Sequence, residues 1–599
     1  MKKQDILILA ALIALFVAWP WIDRLVVRKF FPNQPVPAQF VAGTNTLSAT
    51  NIVGALAKAT AITAPPATQT NTAAVVVGPA VPAKPEQILT LTNDVLEVVV
   101  SSKGAALNSV VIKSYHESVN QQSAPVKLDF SDRRALAPVQ LAGVSTEADF
   151  TLHPASEGRS AELEYHTANG LIVHRVITLP TGKSYLLDVT DTLKNSNPET
   201  LPLPPYGIQL GPMRDLPGEI QQKGYVYLGV DALPGGGEKV QYLAGSLAGV
   251  FDAKKSPQSL AVPATIESAW TKISTLDWLA VKNKYFAQIL MPNDATESPR
   301  VFAQRALLPD ETVTNLRAEK MTSITEVSAA LMFPEARLEA DKPLTRNMQY
   351  YVGPKLYSAL APIKRSIVDV MEFGFWGPVG KVLLGTMNVI HDWLWPHNYG
   401  LAIMLLTILI RVVFWPLTHK GTQSMKRMQA VQPLMKEIRE KYKDNAQKQQ
   451  QEMMKLYKEH KINPLGGCLP MVIQIPVFIA LFVVLRSAIE LRFASFLWIK
   501  DLSAAENLFP FGFSIPLLGW SALNILPILM AVTMAWQQKL TPSTGDPQQQ
   551  KMMMIMPVMM LFFFYNFAAG LSLYWTTNQI LMIVQLYWQR RHPTALAKA

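Results

Sequence analysis

The feature that most constrains this chain is a stretch of 38 consecutive residues, Met552 to Gln589, that carries no charge. As one helix it would be about 57 Å long at about 1.5 Å per residue, far more than the roughly 30 Å of a bilayer's hydrocarbon core. Asn566 and Gly570 lie near its middle, so two short spans joined by a tight turn fit better than one. Three more apolar runs precede it. Leu401 to Leu417 is interrupted only by Thr407 and Arg411, and Leu469 to Leu485 and Ile515 to Trp536 are uncharged. These runs predict a helical membrane domain of five spans over residues 400–599.

The N-terminal part reads differently. Met1, Lys2 and Lys3 precede an apolar run of 17 residues, Ile6 to Ile22, at the short end of what crosses a bilayer. The run is longer than a usual signal core and no clear A-x-A site follows, so an uncleaved anchor over residues 1–30 is favoured over a cleaved signal peptide. Residues 31–87 hold eight prolines, many Ala and Thr, and only Lys58, Lys84 and Glu86 as charges. Such a segment cannot bury enough apolar surface to offset its ordering entropy and predicts a flexible linker. From Ile88 to Arg346 the pattern is β: Leu171 to Leu179 and Tyr185 to Leu193 flank the turn sequence Pro180-Thr181-Gly182-Lys183. Some 260 residues of this kind predict a large antiparallel sandwich. Residues 361–396 contain an amphipathic helix with Val379, Val382, Leu383, Thr386, Met387, Ile390, Trp393 and Leu394 at helical spacing. It leads directly into a span, which favours a helix lying in the membrane interface over one packed on the β domain.

Charge sets the orientation. Residues 418–461 hold 11 Lys or Arg against 5 Asp or Glu, a balance of 11 − 5 = +6, whereas residues 490–523 hold 2 against 3, a balance of −1. Positively charged loops stay cytoplasmic. With six spans in all, both termini are then inside and the β domain lies outside the cytoplasm. Arg24, Arg28 and Lys29 beside the first span oppose this, and the larger C-terminal asymmetry outweighs them.

Within the spans Arg411 is the sharpest feature. An arginine near the middle of a spanning helix costs about 2.5–3.5 kcal/mol on insertion scales and needs water or a partner. No proposed span contains an acidic residue. Thr407, four residues earlier, shares its helical face and makes a polar stripe, which favours a water-filled intramembrane cavity over simple snorkelling of the side chain. Prolines at 416, 470, 476, 527 and 557 each free a backbone carbonyl and tend to kink these helices, and several spans are short enough to thin the bilayer. The basic segment 418–461 reads as a helical hairpin turning at Lys443-Asp444-Asn445, with a seam of Met425, Met428, Met435, Ile438 and Tyr442 against Met453, Leu456 and Tyr457. Lys436, Arg439, Lys441 and Lys443 are either a solvated face or a surface for phosphate head groups and ribosomal RNA. The methionine run 552–560 suits either varied apolar partners or ordinary core filling.

Known catalytic motifs are missing from the sequence: there is no phosphate-binding loop, no zinc-protease helix motif and no nucleophile elbow. The one cysteine, Cys468, excludes a disulfide framework. No cofactor, no metal, no specific DNA partner and no enzymatic turnover are expected. An alternative is a small-molecule transporter with Arg411 as anion site, which inverted repeats would favour. A third reading is a cell-envelope protein whose sandwich grips a glycan.

The chain resembles the YidC family of membrane protein insertases. The resemblance rests on His397-Asn398-Tyr399-Gly400, residues 407–418 with Arg411, Gln432-Pro433, the run from Asn463 through Gly466, Gly467 and Cys468 to Pro470, and the run from Gly570 through Tyr574 and Trp575 to Asn578. Upstream, residues 278–292 and 351–355 resemble the Gram-negative branch. The resemblance implies a β-supersandwich in the periplasm and a five-helix core around a groove open to cytoplasm and lipid, in the bacterial inner membrane. It places Thr407, Arg411, Gln474, Tyr574 and Trp575 along that substrate groove. Trp575 stands where the family often has tyrosine, with Tyr574 beside it. Implied partners are nascent membrane proteins, the Sec translocon, ribosomes and membrane lipids.

Overall fold

The computed structural model describes residues 85–120, 122–154, 158–216, 227–236, 239–242, 264–269, 275–307, 322–363, 366–460, 469–515, 518, 520–540 and 547–591. The N-terminal anchor and nearly all of the linker lie outside the described residues. The chain divides into a β unit, residues 1–115 and 125–353, and a helical unit, residues 116–124 and 354–599.

The β unit is built from antiparallel strands. Nine of them form one sheet, in the order Gln241–Tyr242, Gly229–Pro234, Leu276–Lys282, Phe286–Pro292, Leu344–Pro354, Leu186–Asn195, Leu171–Thr178, Ser160–His166 and Thr151–Pro154. A six-stranded sheet includes Glu297–Leu307 and Thr322–Phe333, and a four-stranded one runs from Ile88–Thr92 to Pro125–Asp129. Alternation of side chains across a pleated strand explains the sequence pattern. In Leu171–Thr178 every second residue is buried, and the strand pairs with Leu186–Asn195 across the turn that the sequence predicts. Leu276–Lys282 and Phe286–Pro292 are buried almost throughout, with Trp278 fully enclosed. The strand Leu276–Lys282 packs on Thr322–Phe333 of the six-stranded sheet.

One ion pair fixes the interior of this unit. Arg175 and Asp191 are cross-strand neighbours. They form a bidentate pair, Nε to Oδ1 at 2.5 Å and Nη2 to Oδ2 at 2.6 Å, with both side chains at most 4% exposed. The remaining amino group of Arg175 donates to the carbonyls of Ala105 and Leu136. Both of those residues have positive φ, 47° and 67°. A guanidinium with five donors in a fixed fork can satisfy a carboxylate and two turn carbonyls together, so the pair holds two strained turns against the sheet.

The helical unit contains α1 (Gly377–Trp393), α2 (Tyr399–Ala430), α3 (Gln432–Lys441), α4 (Ala446–Glu459), α5 (Leu469–Ser487), α6 (Ile525–Leu540), α7 (Pro547–Phe564) and α8 (Ala569–Arg591). The long uncharged stretch is indeed two helices, α7 and α8, broken at residues 565–568. By length and composition alone, one described helical segment, Tyr399–Pro416, could cross a bilayer. Gln474–Ser487 and Met554–Phe564 are shorter apolar segments. α2 continues through Pro416 without ending, carrying the chain from the apolar run into the basic segment.

α1 has two apolar sides. Gly380, Leu383, Leu384 and Met387 are buried where the helix packs on α2 and α5, and a Cβ at Gly380 would lie 3.3 Å from Val484. Val382, Val389 and Trp393 remain exposed. The basic hairpin is α3 and α4, turning near Lys443, with Asn445 capping α4 through Lys448 N–H. Its seam comprises Met428, Val431, Met435 and Leu456, with Ile438, Met453 and Tyr457 packed against them. Val431 joins the seam unforeseen and Tyr442 is not part of it.

Candidate functional site

The site is built where α2, α5 and α8 meet. Thr407 and Arg411 lie one turn apart on α2. Thr407 is buried, and its hydroxyl donates to the carbonyl of Ile403 at 2.7 Å. That bond satisfies the hydroxyl within its own helix. Arg411 is partly buried and reaches α8: Nε donates to Asn578 Oδ1 at 2.7 Å and Nη2 to Asn578 O at 3.2 Å. The partner is a neutral amide, and among the described residues no carboxylate lies within ion-pair distance of the guanidinium.

Tyr574 and Asn578 are four residues apart and share a face of α8. Tyr574 is buried, and its phenolic oxygen accepts a hydrogen bond from Gln474 Nε2 on α5 at 2.5 Å. One face of α8 is therefore tied to α2 through Asn578 and to α5 through Tyr574. Trp575 lies about 100° further round the helix. Its ring packs edge-on against Phe478 at 4.9 Å and tilted against Phe564 at 5.8 Å, in an aromatic cluster between α5, α7 and α8. The phenolic hydroxyl in this site belongs to Tyr574, and Trp575 supplies packing.

α8 carries more polarity than the sequence reading assigned. Ser572, Thr576 and Gln579 are buried, and Ser572 Oγ, Thr576 Oγ1, Gln579 Oε1 and the Trp575 indole nitrogen have no hydrogen-bond partner among the described residues. Positions 572, 576 and 579 share one face. On α2 the opposite condition holds: Ile408, Leu409, Val412, Val413 and Trp415 are exposed and apolar. The result is a helix with a polar inner side, centred on Arg411, and an apolar outer side.

The hairpin lysines stand apart from this constellation. Lys436, Lys441 and Lys443 are exposed and Arg439 is partly so. Asn578 is the site residue that sequence reasoning missed; its signal was the four-residue spacing from Tyr574 in an otherwise apolar run.

Comparison with known proteins matches the chain in two parts. Residues 389–595 match the family described as 60Kd inner membrane protein, and residues 88–384 match the YidC periplasmic domain. The chain is 31% identical over 525 residues to the membrane protein insertase YidC of Chlorobaculum tepidum, covering 84% of this chain and 81% of that protein. It is 30% identical over 519 residues to that of Syntrophus aciditrophicus, covering 84% and 85%. With the protein of the same name from Syntrophobacter fumaroxidans it shares 40% identity over 320 residues, 53% of this chain and 54% of the relative. Among solved structures, a YidC insertase crystal structure with the first transmembrane domain resolved aligns over 84% of this chain and 92% of its own, at 18% identity and a TM-score of 0.33.

Proposed function

The chain belongs to the YidC family of membrane protein insertases, and we propose that it receives nascent membrane segments in an intramembrane groove between α2, α5 and α8 with Arg411 as its charged centre. The observation that carries this reading is the Arg411–Asn578 pair. The charge is held in place by a neutral partner, so it remains uncompensated and available to an acidic or polar residue of an incoming chain. A charge inside a bilayer is costly unless a cavity or partner receives it. An incoming segment would then place its polar residues inside and release its apolar face to lipid past the exposed surfaces of the helices.

In this reading α2, α5, α6, α7 and α8 are five spans, and a sixth precedes the β unit. The +6 segment 418–461 and both termini are cytoplasmic, and the β unit is periplasmic. α1 lies along the membrane interface with Val382, Val389 and Trp393 toward lipid. The exposed hairpin lysines meet ribosomes or lipid head groups, and the chain inserts and helps fold membrane proteins alone or with the Sec translocon. No enzymatic turnover is involved; substrate hydrophobicity and the membrane potential drive insertion. Photo-crosslinking tests the groove: probes at Gln474 and Trp575 are expected to capture a stalled nascent membrane protein, and a probe at lipid-facing Val532 is expected to capture far less. Equal capture at all three positions would remove the groove from the mechanism.

A further inference from the structure

Residues 507–538, between Glu506 and Lys539, contain no charge over 32 positions. α6 covers only 14 of them, residues 525–538. Before it, Phe509–Ile515 and Trp520–Leu523 form an antiparallel hairpin. The pairing is irregular between Pro510 and Ile515, and phenylalanine recurs at every second position there. Phe509, Phe511 and Phe513 alternate with Pro510, Gly512 and Ser514. The three phenylalanines are exposed by 57%, 37% and 65%, and the rings of Phe511 and Phe513 lie 5.9 Å apart.

The base of the hairpin is clamped. Trp520 stacks on Tyr565 at 3.8 Å, and the Tyr565 hydroxyl donates to the carbonyl of Ala522 at 3.0 Å. Asn524 donates to the Tyr565 carbonyl at 2.7 Å and accepts from the Asn507 amide at 2.8 Å. Glu506 receives the Trp498 indole N–H and the Leu526 amide, at 2.6 Å and 2.7 Å. The hairpin is thus held at the end of α6 by the turn between α7 and α8, and its phenylalanine face is displayed by a fixed support.

We propose that this hairpin is a lipid anchor: its phenylalanine face is immersed in the acyl region of the outer leaflet, and it completes the membrane crossing that α6 is too short to make. Three observations favour lipid over a protein partner. At about 1.5 Å per residue α6 spans about 24 Å, some 6 Å less than a hydrocarbon core of about 30 Å. Ile525, Ile528, Leu529, Val532 and Trp536 are exposed along one face of α6, and the hairpin continues that apolar band directly from the helix N-terminus. The whole segment carries no charged side chain, whereas a protein interface has a polar, charged rim. Moving three phenylalanine rings from water into an apolar phase favours keeping the hairpin in the membrane. The proposal rests on α6 being lipid-facing, as in the function proposed above.

The test is spin labelling of the full chain in nanodiscs of phosphatidylethanolamine and phosphatidylglycerol. Cys468→Ser supplies the background, and single labels go at Phe511, Phe513 and Pro510, with Val532 as lipid reference and Gln450 as water reference. Collisions with oxygen report lipid and collisions with a water-soluble nickel chelate report solvent. Labels at Phe511 and Phe513 are expected to match Val532, with an oxygen-to-nickel ratio several-fold above that of Gln450 and higher than that of Pro510. A water-like ratio at Phe513 beside a lipid-like Val532 overturns the proposal alone. Shielding of Phe513 from both reagents also overturns it, because a protein would then cover the face. A water-like Val532 would instead defeat the assignment of α6 as a span. The labelled positions are exposed, so folding is retained, and Phe511→Ser with Phe513→Ser gives a second readout: the label at Pro510 is expected to become more solvent-accessible.

Discussion

Asn578→Asp isolates the electrostatic part of the mechanism, because aspartate has almost the same shape as asparagine and the change places a carboxylate where the amide now accepts from Arg411 Nε at 2.7 Å. With charge centres about 4 Å apart, an ion pair at an effective dielectric of about 20 is worth about 4 kcal/mol. A substrate carboxylate approaching Arg411 would then compete with a partner already in position and would lose most of that attraction. At 1.4 kcal/mol for each factor of ten, retaining even a third of the lost attraction as a penalty lowers insertion of acidic substrates by about tenfold. Substrates without Asp or Glu in the translocated segment are expected to insert at wild-type rates. Asn578→Leu should act in the opposite direction: it removes the side-chain acceptor, leaves the Nη2 bond to the backbone carbonyl, and frees the charge for the substrate. The assay is the initial rate of protease protection for matched substrates in proteoliposomes. If Asn578→Asp leaves the ratio of acidic to neutral substrate rates unchanged, Arg411 does not attract substrate by charge and the reasoning fails.

Two further predictions address the parts around the site. Replacing Lys436, Arg439, Lys441 and Lys443 together by Gln is expected to weaken ribosome or anionic-vesicle association, most at low salt, since exposed charges are screened within about 8 Å at physiological ionic strength; co-sedimentation unchanged at low salt would make them a solvated face only. In the β unit, Asp191→Ala should destabilise by about 3–5 kcal/mol because it leaves Arg175 buried and unpaired, while Arg175→Met with Asp191→Leu should recover most of the loss; chemical unfolding followed by protease resistance of the β unit distinguishes the two.

How much of this was legible in the sequence depends on range. The break between α7 and α8 followed from the length of an uncharged run, because bilayer thickness is a fixed external ruler. Strands such as Leu171–Thr178 followed from alternation, a property of the local backbone. The pairing of Arg411 did not follow, since Asn578 lies 167 residues away and one sequence says nothing about which polar side chains meet. Trp575 and Tyr574 were grouped by adjacency, yet neighbours on a helix point about 100° apart, which is why one joins the aromatic cluster and the other bonds Gln474. Pro416 sits inside α2, which continues through it, because adjacent packing and local adjustments can accommodate a missing helix bond. The clamp at the base of the phenylalanine hairpin was also hidden, since it joins Asn524 and Tyr565 across two helices.

The most direct test of the account is the insertion of matched substrate pairs, with and without acidic residues in the translocated segment, by wild type, Arg411→Lys and Arg411→Ala. Arg411→Lys is expected to keep much of the activity, since a positive charge survives in the groove. Arg411→Ala is expected to fail on the acidic substrate and to insert its neutral counterpart with much smaller loss. Wild-type insertion of both substrates by Arg411→Ala would contradict the central claim and leave the arginine as a side chain that merely snorkels toward water.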